Sequence, residues 1–314
     1  MRQLAFISII TLIITSCGSR PDYTPKYENF ANDLEKENLI GNVKSIELYV
    51  ERVVDYQSGK TKQPVLKHRK EFNSAGFMTS AEYYDAVGQL DYSILKEYNE
   101  NNYNIKNTTQ SVLMNMMSIE ECKYDSSGNV TEINSTTNDS IDLTIFFMYD
   151  EHGSVIKHVL IQNGDTIIKH NEYEYDSENR VIKSTHFESD DFEEINETRT
   201  YKYDNNGNLV EIINTSNIIG TLKTVNIFNE DNILVRIETY ENGKIHMEVE
   251  YDDYYNEVNR KIYSNGVLQK EMKYEYEFDK NGNWISRDVL LKDHLNKSSS
   301  FIKLSTETRE IVYY

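Results

Sequence analysis

The stretch Tyr203-Asp204-Asn205-Asn206-Gly207-Asn208-Leu209 decides the fold, because it is written repeatedly along the chain. Tyr124-Asp125-Ser126-Ser127-Gly128-Asn129-Val130 and Phe278-Asp279-Lys280-Asn281-Gly282-Asn283-Trp284 are near copies. Weaker copies begin at Phe72, Tyr98, Tyr149, Tyr175, Phe228 and Tyr251, so the aromatic anchors recur every 26 residues or so. Self-similarity at one period marks a stacked repeat architecture. A partial copy, Gly41-Asn42-Val43, opens the series.

Asp, two polar residues and Gly fit a type I turn. The first side chain bonds back to the backbone, and the last residue takes a positive φ. Alternating residues precede the turn, as in Tyr201-Lys202-Tyr203, and a second apolar-rich run follows, as in Leu209-Val210-Glu211-Ile212-Ile213. Half a period later a second turn is needed. Asn163-Gly164, Asn242-Gly243 and Asn265-Gly266 supply it, and Asn-Gly is a strong hairpin signal. Each unit therefore reads as two antiparallel strands. Residues 37–314 read as a single all-β hairpin-repeat domain of roughly twenty strands. Tyr124, Asp125, Gly128, Tyr203, Asp204, Gly207, Phe278, Asp279 and Gly282 are its expected anchors and turn residues.

The first residues read as an address. Arg2 precedes an apolar run from Leu4 to Ile14, too short to span a bilayer and suited to a signal peptide over residues 1–16. Ile14-Thr15-Ser16-Cys17 resembles the lipobox of bacterial lipoproteins, which implies lipidation of Cys17. An ordinary secretory signal is the alternative, and both readings export the chain. Residues 17–36 are polar, lack strand alternation and read as the lipidated Cys and its flexible tether. Gly18 rather than Asp follows Cys17, which favours the outer membrane, facing either the periplasm or the cell surface. With Cys17 lipidated, Cys122 has no second thiol for an intramolecular disulfide and reads as a small buried hydrophobe.

The formal net charge is −19, and loss of residues 1–16 removes only Arg2, which makes it about −20. Such a surface repels phosphate backbones and anionic lipid, so no nucleic-acid partner is expected and membrane attachment falls to the lipid anchor. The 24 Tyr suit sheets with half-buried faces. Rows of Tyr either cover one another across strands or offer a surface for sugar rings.

A Tyr-Asp-x-x-Gly-Asn unit at this spacing resembles the YD repeats of the Rhs family. With the lipobox, the Gly41-Asn42-Val43-Lys44 opening and the Arg309-Glu310-Ile311-Val312-Tyr313-Tyr314 close, the chain looks like a YD-repeat lipoprotein of the Bacteroidota type. That resemblance implies an open twisted sheet or a partial spiral. Large Rhs proteins form a shell around a C-terminal toxin, whereas this chain is far shorter and closes on a strand.

Motifs for chemistry are not evident. The seven histidines (68, 152, 158, 170, 186, 246 and 294) read as scattered surface residues, and none has zinc-ligand spacing. Asp204-Asn206-Asn208 begins like a calcium loop, but the twelfth position is Thr215 rather than an acid. Asp190-Asp191 and Glu193-Glu194 read as a solvated hairpin end. Asp139-Ser140-Ile141 and Asp165-Thr166-Ile167 resemble an O-glycosylation acceptor. The reading is a non-enzymatic envelope lipoprotein without metal or cofactor, presenting its β-array to a protein or glycan. The alternative is an immunity or inhibitor protein against a secreted toxin, because an acidic surface suits a basic toxin.

Overall fold

The computed structural model describes residues 31–55, 59–138, 140–189, 195–216, 220–295 and 300–314. The leader, Cys17, most of the tether, Asp139 and the acidic run at 190–194 lie outside the described residues.

Every described aromatic-Asp copy turns the chain by the same bonds. Asp125 N–H donates to Asn129 O at 2.9 Å, and Gly128 N–H donates to Asp125 O at 3.2 Å. Asp125 Oδ1 accepts from the N–H groups of Ser127 (2.8 Å) and Asn129 (2.9 Å). Asp204 and Asp279 repeat the pattern with Asn206 and Asn208, and with Asn281 and Asn283. The side chain thus satisfies amides that the ladder leaves out. At Asp125 these bonds, led by that from Asn129, hold the carboxyl below the usual range. The residue after the two polar positions is left-handed, with φ of 84° at Gly128, 82° at Gly207 and 88° at Gly282. At the opposite strand ends, Asn163-Gly164, Asn242-Gly243 and Asn265-Gly266 place both residues at positive φ, as a type I′ hairpin requires.

Two of the turn glycines carry different loads. A Cβ at Gly153 would meet nothing within 4 Å, whereas one at Gly128 would stand 2.7 Å from Cζ of Tyr103. The Tyr103 ring stacks on Tyr124 at 5.0 Å. Gly153→Ala is expected to cost about 1 kcal/mol through positive φ alone. Gly128→Ala is expected to cost roughly 1 kcal/mol more, because Tyr103 must leave its stack. Parallel urea melts measure both, and equal losses would contradict the assignment.

The tyrosines beside each turn fasten one repeat to the one before. Tyr124 Oη donates to Asn104 O (2.5 Å), Tyr149 Oη to Val130 O (2.7 Å) and Tyr276 Oη to Glu257 O (2.7 Å). Each acceptor is the first residue of an earlier strand. Burial pushes the hydroxyls of Tyr124 and Tyr149 up to about 12, so both remain donors far above neutral pH.

In chain order the described elements begin with α1 (Asp33–Lys36), β1 (Val43–Asp55), β2 (Lys60–Thr61), β3 (Val65–Phe72) and β4 (Met78–Tyr84). Next come β5 (Leu90–Tyr98), β6 (Asn104–Ser111), β7 (Met116–Tyr124), β8 (Val130–Thr137), β9 (Ser140–Tyr149), β10 (Val155–Gln162), β11 (Asp165–Tyr175), β12 (Val181–Ser189) and β13 (Ile195–Tyr203). The series continues with β14 (Leu209–Ser216), β15 (Gly220–Phe228), β16 (Leu234–Glu241), β17 (Lys244–Tyr251), β18 (Glu257–Ser264), β19 (Val267–Phe278), β20 (Trp284–Asp293) and β21 (Ile302–Tyr313). Backbone contacts group the described residues into two compact units, Asp91–Thr198 and residues 31–90 with Arg199–Tyr314.

In the first unit β5 to β12 pair antiparallel, each with the next. Cys122, Val130, Ile133, Leu143 and Ile145 form its core on one face, with Tyr124, Phe147 and Leu160 packed against them. Cys122 is 7% exposed.

In the second unit β14 to β21 pair in succession, β21 pairs with β1, β1 with β3, and β3 with β4. The expected open sheet or partial spiral is corrected here. The first and last strands are not free edges: nine residue pairs join them, from Val43↔Tyr313 to Arg52↔Ser305. Among the described residues the antiparallel sheet of the second unit therefore joins the opening strand to the closing one, with the short β2 added to β1. Closure removes the edges on which an open array would aggregate.

The opening and closing motifs work together at this seam. Val43 and Ile46 are fully buried and pack with Leu34, Leu39, Phe72, Ile311 and Tyr313. Tyr314 N–H donates to Asn42 O (3.0 Å) and Tyr314 Oη to Phe72 O (2.6 Å). Residues 32–36, placed by the sequence at the end of the tether, are ordered by the turns they touch. Asn32 caps α1 through Glu35 N–H, and Leu34 N–H donates to Gly76 O at 3.1 Å. Further on, Asn283 receives Ile40 N–H at 2.7 Å and donates to Ile40 O at 2.8 Å.

Candidate functional site

Strand alternation sorts the second unit into two chemically different faces. The more exposed face carries Glu47, Arg69 and Glu82, which lie opposite one another on β1, β3 and β4. Arg69 Nε meets Glu47 Oε1 at 2.7 Å, and Nη1 meets Glu82 Oε2 at 3.3 Å. Tyr49 donates to Glu47 (2.5 Å), Tyr84 to Glu82 (2.7 Å) and Tyr240 to Glu238 (2.7 Å), each two residues along its own strand. Lys261 sits 2.6 Å from Glu248, Lys303 lies 2.7 Å from Asp288, and Lys202 and Lys223 both pair with Glu211. Lys273, Glu275 and Glu277 of β19 are exposed on the same face.

The opposite, more buried face holds a cationic and aromatic cluster directly beyond the α1 core. Ile46 is flanked by Lys70 and Ile311. Two residues further along β1, on the same face, Leu48 is flanked by His68 and Arg309. Tyr83 lies opposite His68, Glu307 opposite Arg287, and Arg287 opposite Tyr276. Lys70 Nζ binds Glu37 Oε1 at 2.5 Å. Arg287 binds Glu307 Oε2 through Nη2 (2.7 Å) and Nε (2.8 Å). The Arg309 guanidinium lies 3.7 Å over the Trp284 ring, and that of Arg287 lies 4.9 Å from it. Trp284 is 5% exposed and meets Tyr276 edge-on at 6.1 Å.

Two groups in this cluster are electrostatically uncomfortable. His68 is pushed down to about 4 by burial first, then by Lys70 and Arg309, against an opposing pull from Glu37. Its Nε2 is buried without a hydrogen-bond partner. Arg309 is lowered to about 10, chiefly by burial, and its Nε and Nη1 are buried without an acceptor. Lys70, Arg287 and Arg309 face Glu37 and Glu307, one positive charge in excess within a protein of net charge −19.

The anchors expected from sequence are placed elsewhere. Asp125, Gly128, Asp204 and Gly207 make turns, as do Asp279 and Gly282. Asp279 also accepts from Tyr313 Oη. The calcium-like Asp204 has both oxygens occupied by the amide and side chain of Asn208 and by Asn206 N–H. His68, His158, His186 and His294 depart from the scattered-surface reading in being half-buried, and His68 and His294 each keep an Nε2 shut from water. His152 and His158 turn to different rings, Tyr175 at 4.3 Å and Phe147 at 6.1 Å. Among the described residues no three His, Cys, Asp or Glu side chains gather in a way that could hold a metal ion. The cationic cluster was not legible in advance. Its one sequence signal is the alternation Glu307-Arg309-Ile311-Tyr313, which puts a lone Arg in a series that is otherwise packed.

No family model matches the chain, and no curated protein matches it. A solved structure of a porin-like protein from Bacteroides uniformis is similar at 15% identity and a TM-score of 0.38, over 86% of this chain and 98% of that one. The structure of TcdB2-TccC3-Cdc42 is similar at 12% identity and a TM-score of 0.22, over 80% of this chain and 19% of that one.

Proposed function

We propose that this protein is an exported, lipid-anchored envelope protein at the outer membrane, an all-β array with paired first and last strands that works in water as a non-enzymatic binding surface for a protein or glycan. The observation that carries the reading is the charged lattice of Glu47, Arg69, Glu82, Glu248, Lys261, Asp288 and Lys303 on the more exposed face. A membrane-spanning barrel turns an apolar band toward lipid, and each Lys or Arg at the bilayer midplane costs about 2–4 kcal/mol. A strand face carrying charge of this density does not suit contact with hydrocarbon. Among the described residues no helix is long and apolar enough to cross a membrane either. Attachment then falls to Cys17, whose acyl chains would each contribute about 0.8 kcal/mol per buried methylene.

Fractionation of cells and palmitate labelling test this. The native chain is expected to incorporate palmitate and to sediment with membranes. Cys17→Ala is expected to lose the label and appear in the soluble fraction with its fold intact by circular dichroism. A Cys17→Ala protein that still resists alkaline extraction from membranes would overturn the reading and favour strands embedded in lipid.

A further inference from the structure

We propose that Arg309, with Lys70 and His68 beside it, forms a binding site for an oxyanion, a carboxylate or phosphate group, on the buried face of the sheet where β21, β1 and β3 pair. This deepens the binding role proposed above by naming the chemistry of a ligand, and it stands on separate residues.

The argument starts from the asymmetry between two arginines on one ring. Arg287 and Arg309 both lie over Trp284, at 4.9 and 3.7 Å. Arg287 has a carboxylate: Glu307 takes two of its nitrogens at 2.7 and 2.8 Å. Arg309 has none, and its Nε and Nη1 are shut from water without an acceptor. Stacking on a ring engages only the face of a guanidinium, whereas its N–H groups point outward in the plane and still need lone pairs. A buried donor left unmade costs about 1–3 kcal/mol, more when charged, and native proteins seldom leave one without a reason.

The surroundings choose the kind of acceptor. Lys70 is 8% exposed, carries Glu37 at 2.5 Å, and flanks Ile46 two residues along β3 from His68, on the same face. His68 has a buried, unpartnered Nε2. Glu37 and Glu307 bind Lys70 and Arg287 directly and act on Arg309 only through space, so Arg309 is the cation without a carboxylate in contact. An oxyanion there would accept from Arg309 in the plane of its guanidinium, and it would also make protonation of His68 easier. Charge-assisted bonds of this kind are stronger than neutral ones, and Arg geometry matches carboxylate and phosphate. The aromatic floor of Trp284, Tyr276 and Tyr83 limits the water that competes for these donors.

Trp284 is the chain's single tryptophan and so a built-in reporter in contact with Arg309. The full-length protein, extracted in non-ionic detergent, is titrated separately with inorganic phosphate, citrate and sodium chloride at matched ionic strength, with excitation selective for tryptophan. A saturable change in Trp284 emission with phosphate, citrate or both, absent with chloride, is expected. Arg309→Gln is expected to weaken binding at least about 10-fold, as expected for loss of one charge-assisted contact. Lys202→Gln, a solvent-face change, is expected to leave it unaltered. Should Arg309→Gln fail to fold, Lys70→Met is the second variant and is expected to weaken binding in the same direction. Phosphate alone, citrate alone or both would support the site and tell the sources apart. Equal responses to all three salts, or a saturable response unchanged in the Arg309 and Lys70 variants, would overturn it. The fractionation result of Cys17→Ala bears on none of these outcomes, so failure of one proposal is distinguishable from failure of the other.

Discussion

A chain ending at Ser300 is expected to lose its cooperative fold, not merely one repeat. An open array is quasi-one-dimensional, so removing its last strand costs one nearest-neighbour interface. Here β21 bridges β20 and β1 and leaves neither as an edge. Its removal also takes away Ile311 from the core around the buried Val43 and Ile46, along with Arg309 from Trp284 and Tyr313 from Asp279 and Asn283. The loss would exceed about 5 kcal/mol, comparable to the stability of many whole domains. Two exposed strand edges would then invite pairing between molecules. Thermal melts and size-exclusion profiles of the full and shortened chains measure the effect. A shortened chain that remains monomeric and melts within a few degrees of the full one would contradict closure.

His68 is expected to make the protein acid-sensitive between about pH 6.5 and 4. Its ordinary value is 6.5 and its value in the fold is about 4, so the unfolded chain binds the proton first. A depressed folded value means that stability is fully present above pH 6.5 and drains as pH falls toward 4. Burial is the main cause. Lys70 and Arg309 add to it, and Glu37 opposes them. At 1.36 kcal/mol per unit, and discounted for the water that still reaches a half-buried ring, the effect is about 2 kcal/mol. Urea midpoints of the native chain and His68→Gln at pH 7 and pH 4.5 measure it. The native protein is expected to lose about 2 kcal/mol more than the variant across that interval. A parallel fall in both would remove His68 from the account.

The local structure was readable because its causes are local. Asp at the first turn position bonds to amides two and four residues on, and Gly or Asn at the fourth takes a conformation that other residues avoid. These demands are met within five residues, so the turns and the strands between them follow from spacing. Tyr255, at a φ of 61°, occupies a position where Gly or Asn stands elsewhere and makes the same turn because Asp252 supplies the same bonds. The Asn-Gly hairpins were legible for the same reason.

The site was not readable in this way. His68 and Arg309 are 241 positions apart in sequence and become neighbours only because both flank Leu48 on β1. Alternation shows that Glu307, Arg309 and Ile311 share a face, but not which face is buried, since Tyr, Lys and Glu occur on both. Ile46 and Glu47 are adjacent in sequence. One is fully buried and the other forms an ion pair, a difference made by what covers each face.

By itself, then, the amino-acid sequence determined the period, the turn chemistry, the antiparallel hairpins and the acidic balance, all of which arise from neighbours a few bonds apart. The tertiary structure alone decided that β1 meets β21, which face turns away from water, and that Arg309 is left on Trp284 without a carboxylate. Those outcomes depend on pairings between distant segments, where cumulative strand twist and register, rather than any local preference, determine whether the ends meet.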